Sequence, residues 1–447
     1  MALASLWPAA DRRGRILRLA LPIIGGMISQ NLLNLVNTGF VSSLGDEALA
    51  ATGLGSFANF MSIAFVTGLS AGVQAMAARR KGEGAQSETA VPLNGGLLMA
   101  LGFGIPIAIG VHYVAPSAFP ALTGDPAVQA LGITYLQIRL LSLPAVGMNF
   151  AFRGYWNAID LPQLYLRTLV VMHLVNAALD YTLIFGHFGA PRLGVEGAAW
   201  ASTIATWVGT LYYFAQAISR ARKAGFMRGV PSAAAMWTML RTSFPAALQQ
   251  FFFAAGMTAF FAIVSRLGTA EVAASNVLLN LMLVAILPAL GFGLASASLV
   301  GQSLGGGDSA DARRWGWDVV RTAVPVVALI ALPGLVFPDL VLGIFLHDPE
   351  TLALARAPMR VLALSLPLDV VGMVLMNALL GAGDSRRVLV ISAVMQWVMF
   401  LPAAWLLGPT LGLGLTAVWI ASAAYRFVQS IVFAALWRSE AWTKVKL

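Results

Sequence analysis

Leu141-Ser142-Leu143-Pro144 recurs unchanged as Leu364-Ser365-Leu366-Pro367, 223 residues further along the chain. Working outward in both directions, the same offset carries Pro22 to Pro245, Val41-Ser42-Ser43-Leu44-Gly45 to Val264-Ser265-Arg266-Leu267-Gly268, and Ala50-Ala51 to Ala273-Ala274. Gly68, Gly82 and Gly84 become Gly291, Gly305 and Gly307. Towards the end of each copy the offset drifts, to 224 for Asp160 and Asp384 and 220 for Gly194 and Gly414, as connections change length. Chance does not hold one register over so long a stretch, so the chain is an internal duplication.

What is duplicated follows from composition. Of 447 residues, 59% are hydrophobic and only 11% charged, with a mean hydropathy of +0.79. A water-soluble chain cannot hide that much apolar surface. Segments of helical length run at 16–42, 47–78, 88–116, 127–158, 162–187, 193–220, 240–266, 270–303, 317–346, 351–381, 386–408 and 411–437. At ~20 residues per crossing, each is long enough to span a bilayer. The expected fold is an all-α polytopic membrane protein with twelve transmembrane helices. They fall into two six-helix lobes, 1–222 and 240–447, joined by a linker at 223–239. An even number of helices per copy makes both copies enter the membrane from the same side, which predicts a pseudo-two-fold axis along the membrane normal. This is a transporter plan.

The net charge of +9 and pI near 10.2 raise nucleic acid as a partner, but the basic residues alternate along the chain. Arg79, Arg80 and Lys81 follow helix 2; Arg220, Arg222, Lys223 and Arg228 follow helix 6; Arg313 and Arg314 follow helix 8; Arg386 and Arg387 follow helix 10. The intervening connections carry Asp46, Glu47, Asp125, Asp348 and Glu350, with only Arg192 and Arg266 against the trend. The positive-inside rule therefore places both termini in the cytoplasm, in agreement with Arg438, Lys444 and Lys446. Met1 to Ala10 lacks the pattern of a signal peptide. The wealth of Ala, Gly and Arg suggests a GC-rich bacterial source and the cell inner membrane. The expected partners are small molecules and the lipid bilayer, with no nucleic acid, and the protein is read as a monomer.

With no cysteine and four histidines at 112, 173, 187 and 347, the sequence offers no metal-ligand spacing and no nucleophile–base cluster. A membrane enzyme is disfavoured, and no cofactor is expected. The chemistry sits instead in carboxylates at membrane depth, which cost ~2.5–3.5 kcal/mol on insertion scales and are functional candidates by default. Asp180 in helix 5 and Asp369 in helix 10 are the two; Asp339, near the end of helix 9, is expected to reach solvent. Asn176 precedes Asp180 by one turn, and helix 1 carries a polar stripe of Ser29, Gln30, Asn31, Asn34, Asn37 and Thr38. Such oxygen groups can hold a proton or, in sufficient number, a sodium ion. Burial favours the neutral carboxyl and eases proton loading near neutral pH. An interhelical network that merely locks the helices is the alternative.

Arg139, Arg360 and Arg426 are read as structural residues whose long stems reach the interface, and His173 as a packed histidine or proton relay. The candidate cavity residues are Gln30 and Asn34 with Gln249, Phe253 and Met257 of helix 7. Pro22 is a candidate hinge in helix 1.

Several stretches, in order, resemble the multidrug and toxic compound extrusion (MATE) family across nearly the whole chain. They are Leu19-Ala20-Leu21-Pro22, Val36-Asn37-Thr38, Glu47-Ala48-Leu49-Ala50-Ala51, and Asn176 with Asp180 before Leu183-Ile184-Phe185-Gly186. Gly194-Val195-Glu196-Gly197-Ala198-Ala199 and Gly381-Ala382-Gly383-Asp384-Ser385 follow. The resemblance implies an alternating-access antiporter that expels amphipathic, often cationic compounds in exchange for protons or sodium. It also implies a cation site of Asp180, Asn176, Tyr135 and Ser202, with Asn37 where the family usually has a helix 1 aspartate. Asp369 looks like the helix 10 carboxylate of the sodium-associated branch, but that branch's helix 7 glutamate is Phe253 here. With neither half keeping a carboxylate pair, protons are favoured over sodium as the coupling ion. Two rivals stay open: a lipid-linked sugar flippase, expected to have a more cationic cavity, and a non-transporting receptor.

Overall fold

Each apolar stretch is a helix in the structure, a computed structural model that describes residues 7–445. The opening of the Met1–Ala10 stretch and Lys446 lie outside the described residues. Among those residues there are twelve long helices: α1 Ala10–Ser42, α2 Asp46–Gly82, α3 Gln86–Ala121, α4 Pro126–Leu140 with Leu143–Ala158, α5 Pro162–Phe185 and α6 Val195–Arg220. They continue with α7 Ala233–Val264, α8 Thr269–Gly305, α9 Ser309–Val336, α10 Pro349–Ala382, α11 Ser385–Thr410 and α12 Gly414–Arg438. Ten of them are single helices apolar enough to cross a membrane, and the two arms of α4 qualify together. α6 is spread with threonines and carries Glu196 in its first turn.

Local chemistry sets many of the ends. Asp125 opens α4 by accepting from the amides of Ala127 and Val128. Asp348 opens α10 by accepting from the Thr351 hydroxyl at 2.6 Å and its amide at 2.9 Å. Those two bonds hold the Asp348 carboxyl below the usual carboxylate range. The cap is therefore intact above that range and is lost as pH falls through the lowered value. Pro231 and Ser232, whose Oγ accepts from the Ala235 amide at 3.2 Å, start α7 at Ala233, so 233–239 belong to the helix and not to the linker.

The twin LSLP runs behave differently. In α4 the chain breaks at Leu141-Ser142 and turns by 50° before Pro144 starts the second arm. In α10 the identical run lies inside one continuous helix. Both serines donate to the carbonyl three residues back, Ser142 to Arg139 at 2.7 Å and Ser365 to Leu362 at 2.9 Å. The tetrapeptide therefore loosens the helix in each copy, and its surroundings decide whether it breaks.

The described chain forms two compact units, residues 25–247 and residues 7–24 with 248–445. Their limits divide α1 after Ile24 and α7 after Ala247, equivalent positions of the two repeats, each two residues beyond its proline, Pro22 or Pro245. The first turns of α1 accordingly belong with the second unit. Ile16, Leu19 and Ala20 join its core, and Arg12 reaches Asp311 and Asp318 of α9, each at 2.6 Å. Within the first unit α2 and α3 pack on α4, and within the second α8 and α9 pack on α10.

Small residues permit these contacts, as membrane helix packing requires. A Cβ at Gly154 of α4 would stand 3.1 Å from Cα of Ser70 in α2 and closer still to its carbonyl oxygen, and one at Gly381 of α10 would stand 2.5 Å from Cα of Ala297 in α8. Neither backbone neighbour can swing away. Gly381→Val is expected to lower stability by about 1–3 kcal/mol through overpacking, read as a fall in the thermal unfolding temperature of the purified protein. An unchanged midpoint would contradict this packing.

Candidate functional site

α5 and α1 present polar side chains to one another at helical spacing, which puts three residues of each on one face. On α5 these are His173, Asn176 and Asp180; on α1 they are Gln30, Asn34 and Asn37. His173 Nε2 donates to Gln30 Oε1 at 3.4 Å, and Ser29 Oγ donates to His173 Nδ1 at 2.6 Å, a pattern suited to the neutral imidazole. Two turns further along, Asn176 Nδ2 donates to Asp180 Oδ2 at 2.9 Å and Asn37 Nδ2 to Asn176 Oδ1 at 3.1 Å. With its amide turned over, Asn37 instead donates to Asp180 Oδ2 at 2.8 Å and to the Leu33 carbonyl at 3.3 Å. Asp180 is 1% exposed, and its Oδ1 has no hydrogen-bond partner among the described residues.

This seam borders a cavity of about 410 Å³ within the first unit. Gln30, Asn34, Asn37, Asn176, His173 and Ser202 line it. Asp180 does not line it directly; its two amide partners do. The opposite character comes from α4, which contributes Arg139, Asn149 and Arg153. Arg139 exerts a charge interaction on Asp180 without forming a salt bridge among the described residues, and its Nη1 is buried without a partner.

The structure distributes the other expected site residues elsewhere. The Tyr135 hydroxyl accepts from Ser56 Oγ at 3.2 Å, its side chain packs against the small cluster that includes Ile184 and Val195, and it does not line the cavity. Gln249, Phe253 and Met257 lie on the part of α7 that belongs to the second unit. There Gln249 meets Met376 Sδ at 4.0 Å, the Phe253 carbonyl accepts from Gln396 at 3.2 Å, and Met257 packs against the core. Gln396 and Trp397, which donates to the Phe252 carbonyl, sit on a π-helical stretch of α11. Pro22 is carried inside a continuous α1.

Asp369 is not an open carboxylate. Arg426 of α12 donates to its Oδ2 at 2.7 Å, and the two residues are 5% and 9% exposed. Arg426 therefore turns inward to a partner, in contrast to the interface-seeking stem expected of it. Arg139 likewise faces a cavity, and Arg153 had drawn no attention in the sequence. A signal was present: Asn149, Arg153 and Asn157 recur every fourth residue in an otherwise apolar arm.

The family model for MatE matches residues 22–182 and 245–406, one match in each repeat. A probable multidrug resistance protein NorM from Synechococcus sp. is 29% identical, over 91% of this chain and 89% of its own length. Another from Thermotoga maritima is 25% identical over 97% and 93%. Among solved structures, a crystal structure of MATE in the bent conformation superposes with a TM-score of 0.88 over 96% of both chains at 24% identity, a likeness of fold. Matched across both halves of its duplication, this multi-pass membrane protein belongs to the MatE family, the multidrug and toxic compound extrusion family that its sequence resembles.

Proposed function

We propose that this chain is a secondary active antiporter that exports amphipathic compounds in exchange for protons by alternating access, with Asp180 as the coupling group. The observation that carries the reading is the company each buried aspartate keeps. Asp318, Asp369 and Asp384 each have an arginine nitrogen within 4 Å, from Arg12, Arg426 and Arg387. Asp180 alone among the buried aspartates of the described residues has none, and amides that line a cavity hold it. A carboxylate that no salt bridge ties down, with only the more distant charge of Arg139 acting on it, is the one whose charge can change during a cycle.

The amides suit both of its forms. An ionised Asp180 accepts from Asn176 and from Asn37 through Oδ2, and its free Oδ1 is where a proton can be placed. Among the described residues no three acidic or histidine side chains converge. One carboxylate with two or three neutral oxygens is a sparse cage for sodium, and this supports the proton. The alternating basic loops support placement in the cell inner membrane with both termini cytoplasmic, and the divided α1 supports Pro22 as its hinge.

Efflux from reconstituted vesicles under separate proton and sodium gradients tests the reading. A proton gradient alone is expected to drive export; export driven only by sodium would overturn the assignment. Because the Tyr135 hydroxyl engages Ser56 and not Asp180, Tyr135→Phe is expected to leave proton-driven efflux within about twofold of the parent. A loss comparable with that of an Asp180 variant would put Tyr135 back in the site. The rival flippase reading draws on one observation, the arginines of the cavity wall; flipping of a fluorescent lipid-linked sugar without any ion gradient would favour it.

A further inference from the structure

Arg313, Arg314 and Arg321 of α9 and Arg438 of α12 converge with Trp317 and Asp318 on a concavity of about 320 Å³ that lies wholly within the second unit. The acids around it are already engaged. Asp318 accepts from Arg12 at 2.6 Å and from Arg321 at 3.4 Å, and Glu440 pairs with Arg313. Among the described residues Arg314 and Arg438 have no carboxylate within 4 Å, and Arg321 has only a share of one. The guanidinium of Arg438 is held over the Trp317 ring at 5.6 Å. The join between the two helices is fixed: Trp437 Nε1 donates to the Arg313 carbonyl at 3.3 Å, its ring fits beside Gly316, and it stacks on Trp442 at 3.9 Å. The fold does not demand these charges, since Ala90, Val91 and Leu98 stand where the first repeat would carry Arg313, Arg314 and Arg321. Nor does topology, which needs basic residues only in a connection. Arg321 lies ~18 Å along α9 from Ser309 at 1.5 Å per residue, where the apolar run of the helix begins.

We infer that this concavity binds an anionic phospholipid of the surrounding bilayer, with its phosphodiester held by Arg314, Arg321 and Arg438 and its acyl chains lying along α9 and α12. Both ends of the site point to that chemistry. Guanidinium forks match phosphate oxygens and donate to them in pairs. A zwitterionic headgroup would bring an ammonium into a cationic setting, and an anionic one brings none. Past the arginines the surface turns apolar. On α9 Pro325, Leu329 and Leu332 follow Arg321 at helical spacing, on α12 Phe427 and Ile431 precede Arg438 on its face, and all five are exposed. Tryptophan is enriched where hydrocarbon meets headgroups, and basic pockets between membrane helices suit anionic headgroups. A soluble phosphate would use the arginines and leave the apolar strips bare. The inference rests on the membrane fold alone and is independent of the antiport reading.

The test titrates the purified, delipidated protein in a neutral detergent with phosphatidylglycerol and with phosphatidylcholine of the same acyl chains, and counts bound lipid by native mass spectrometry. The tightest phosphatidylglycerol is expected to bind about 10- to 100-fold more strongly than phosphatidylcholine, as two or three guanidiniums near one anionic headgroup imply. The double variant R314Q/R438Q is expected to bring that ratio close to one, and R314K/R438K to retain part of it. A control pair in another basic connection, R220Q/R222Q, is expected to leave the ratio unchanged. Equal affinity of the two lipids for the parent protein, a comparison that needs no variant, would overturn the inference. So would a preference that survives R314Q/R438Q, or one that R220Q/R222Q removes as completely, since general surface charge would then account for it. Glycerol phosphate added at the lipid's own concentration is expected to leave the lipid bound. Displacement by it would make the site one for a soluble phosphate and overturn the lipid assignment.

Discussion

Asp180→Asn is expected to abolish proton-driven efflux while leaving a folded, substrate-binding protein. The substitution keeps the size of the side chain and its ability to accept from Asn176, but it removes the only buried aspartate among the described residues that lacks an arginine within salt-bridge distance. If that group exchanges its proton for cargo, the affinity of the parent protein for substrate must fall as pH falls. The size of the fall is a coupling free energy, commonly about 5–150-fold between the two states. In Asp180→Asn that dependence is expected to flatten, and a proton gradient is then unable to concentrate substrate. Asp180→Glu keeps a titratable group and should retain a fraction of both. The decisive measurement is substrate binding against pH in parent and variant, with vesicle efflux alongside. An Asn variant that still binds more weakly at low pH, or still pumps, would move the coupling role elsewhere.

The second large effect concerns Asp369 and Arg426, and there the expectation is non-additive. The pair joins α10 to α12 through a 2.7 Å bond between nearly buried groups. Removing either partner strands a charge, so Asp369→Leu and Arg426→Met should each destabilise the protein by about 3–5 kcal/mol. Replacing both with apolar residues removes the stranded charge and should recover most of the loss, because the attraction in such a pair is largely offset by its desolvation. Thermal unfolding of the two single variants and the double variant measures the coupling directly. If the double variant regains stability and still pumps, the pair is a structural tie. If it regains stability but loses efflux, the second unit takes part in coupling and Asp180 does not act alone. Additive losses would contradict the ion pair itself.

Both expectations arise from the same contrast, which no reading of residue types supplies. Asp180 and Asp369 look alike in the sequence: each is a lone acid in an apolar helix, and each matches a family position. They separate only when their surroundings are known. One faces amides beside a cavity; the other faces an arginine 57 residues away in sequence. Arg139 and Arg426 divide in the same way, one lining a cavity without an acid and the other spent on Asp369. Tyr135 was legible as a helix 4 residue and as a family position, but only the packing of its arm on α2 shows its hydroxyl bonded to Ser56.

The duplication, the helices and the alternation of charged connections are properties of local composition. A run of about 20 apolar residues must form backbone hydrogen bonds within itself wherever it lies in a bilayer, and a helix is how a single segment does so. These features were therefore readable residue by residue, and Asn176 and Asp180 share a face for the same reason. Which face of one helix meets which face of another is a different matter. Successive residues advance by about 100° around the axis, so partners such as Asp369 and Arg426 depend on how each helix is rotated by its packing. That packing includes the close backbone approaches at Gly154 and Gly381. The fate of the two identical LSLP runs, the division of α1 and α7 between units, and the charge of the cavity wall are all of this kind. They are settled by neighbours distant in the chain, and the tertiary structure alone brings those neighbours together.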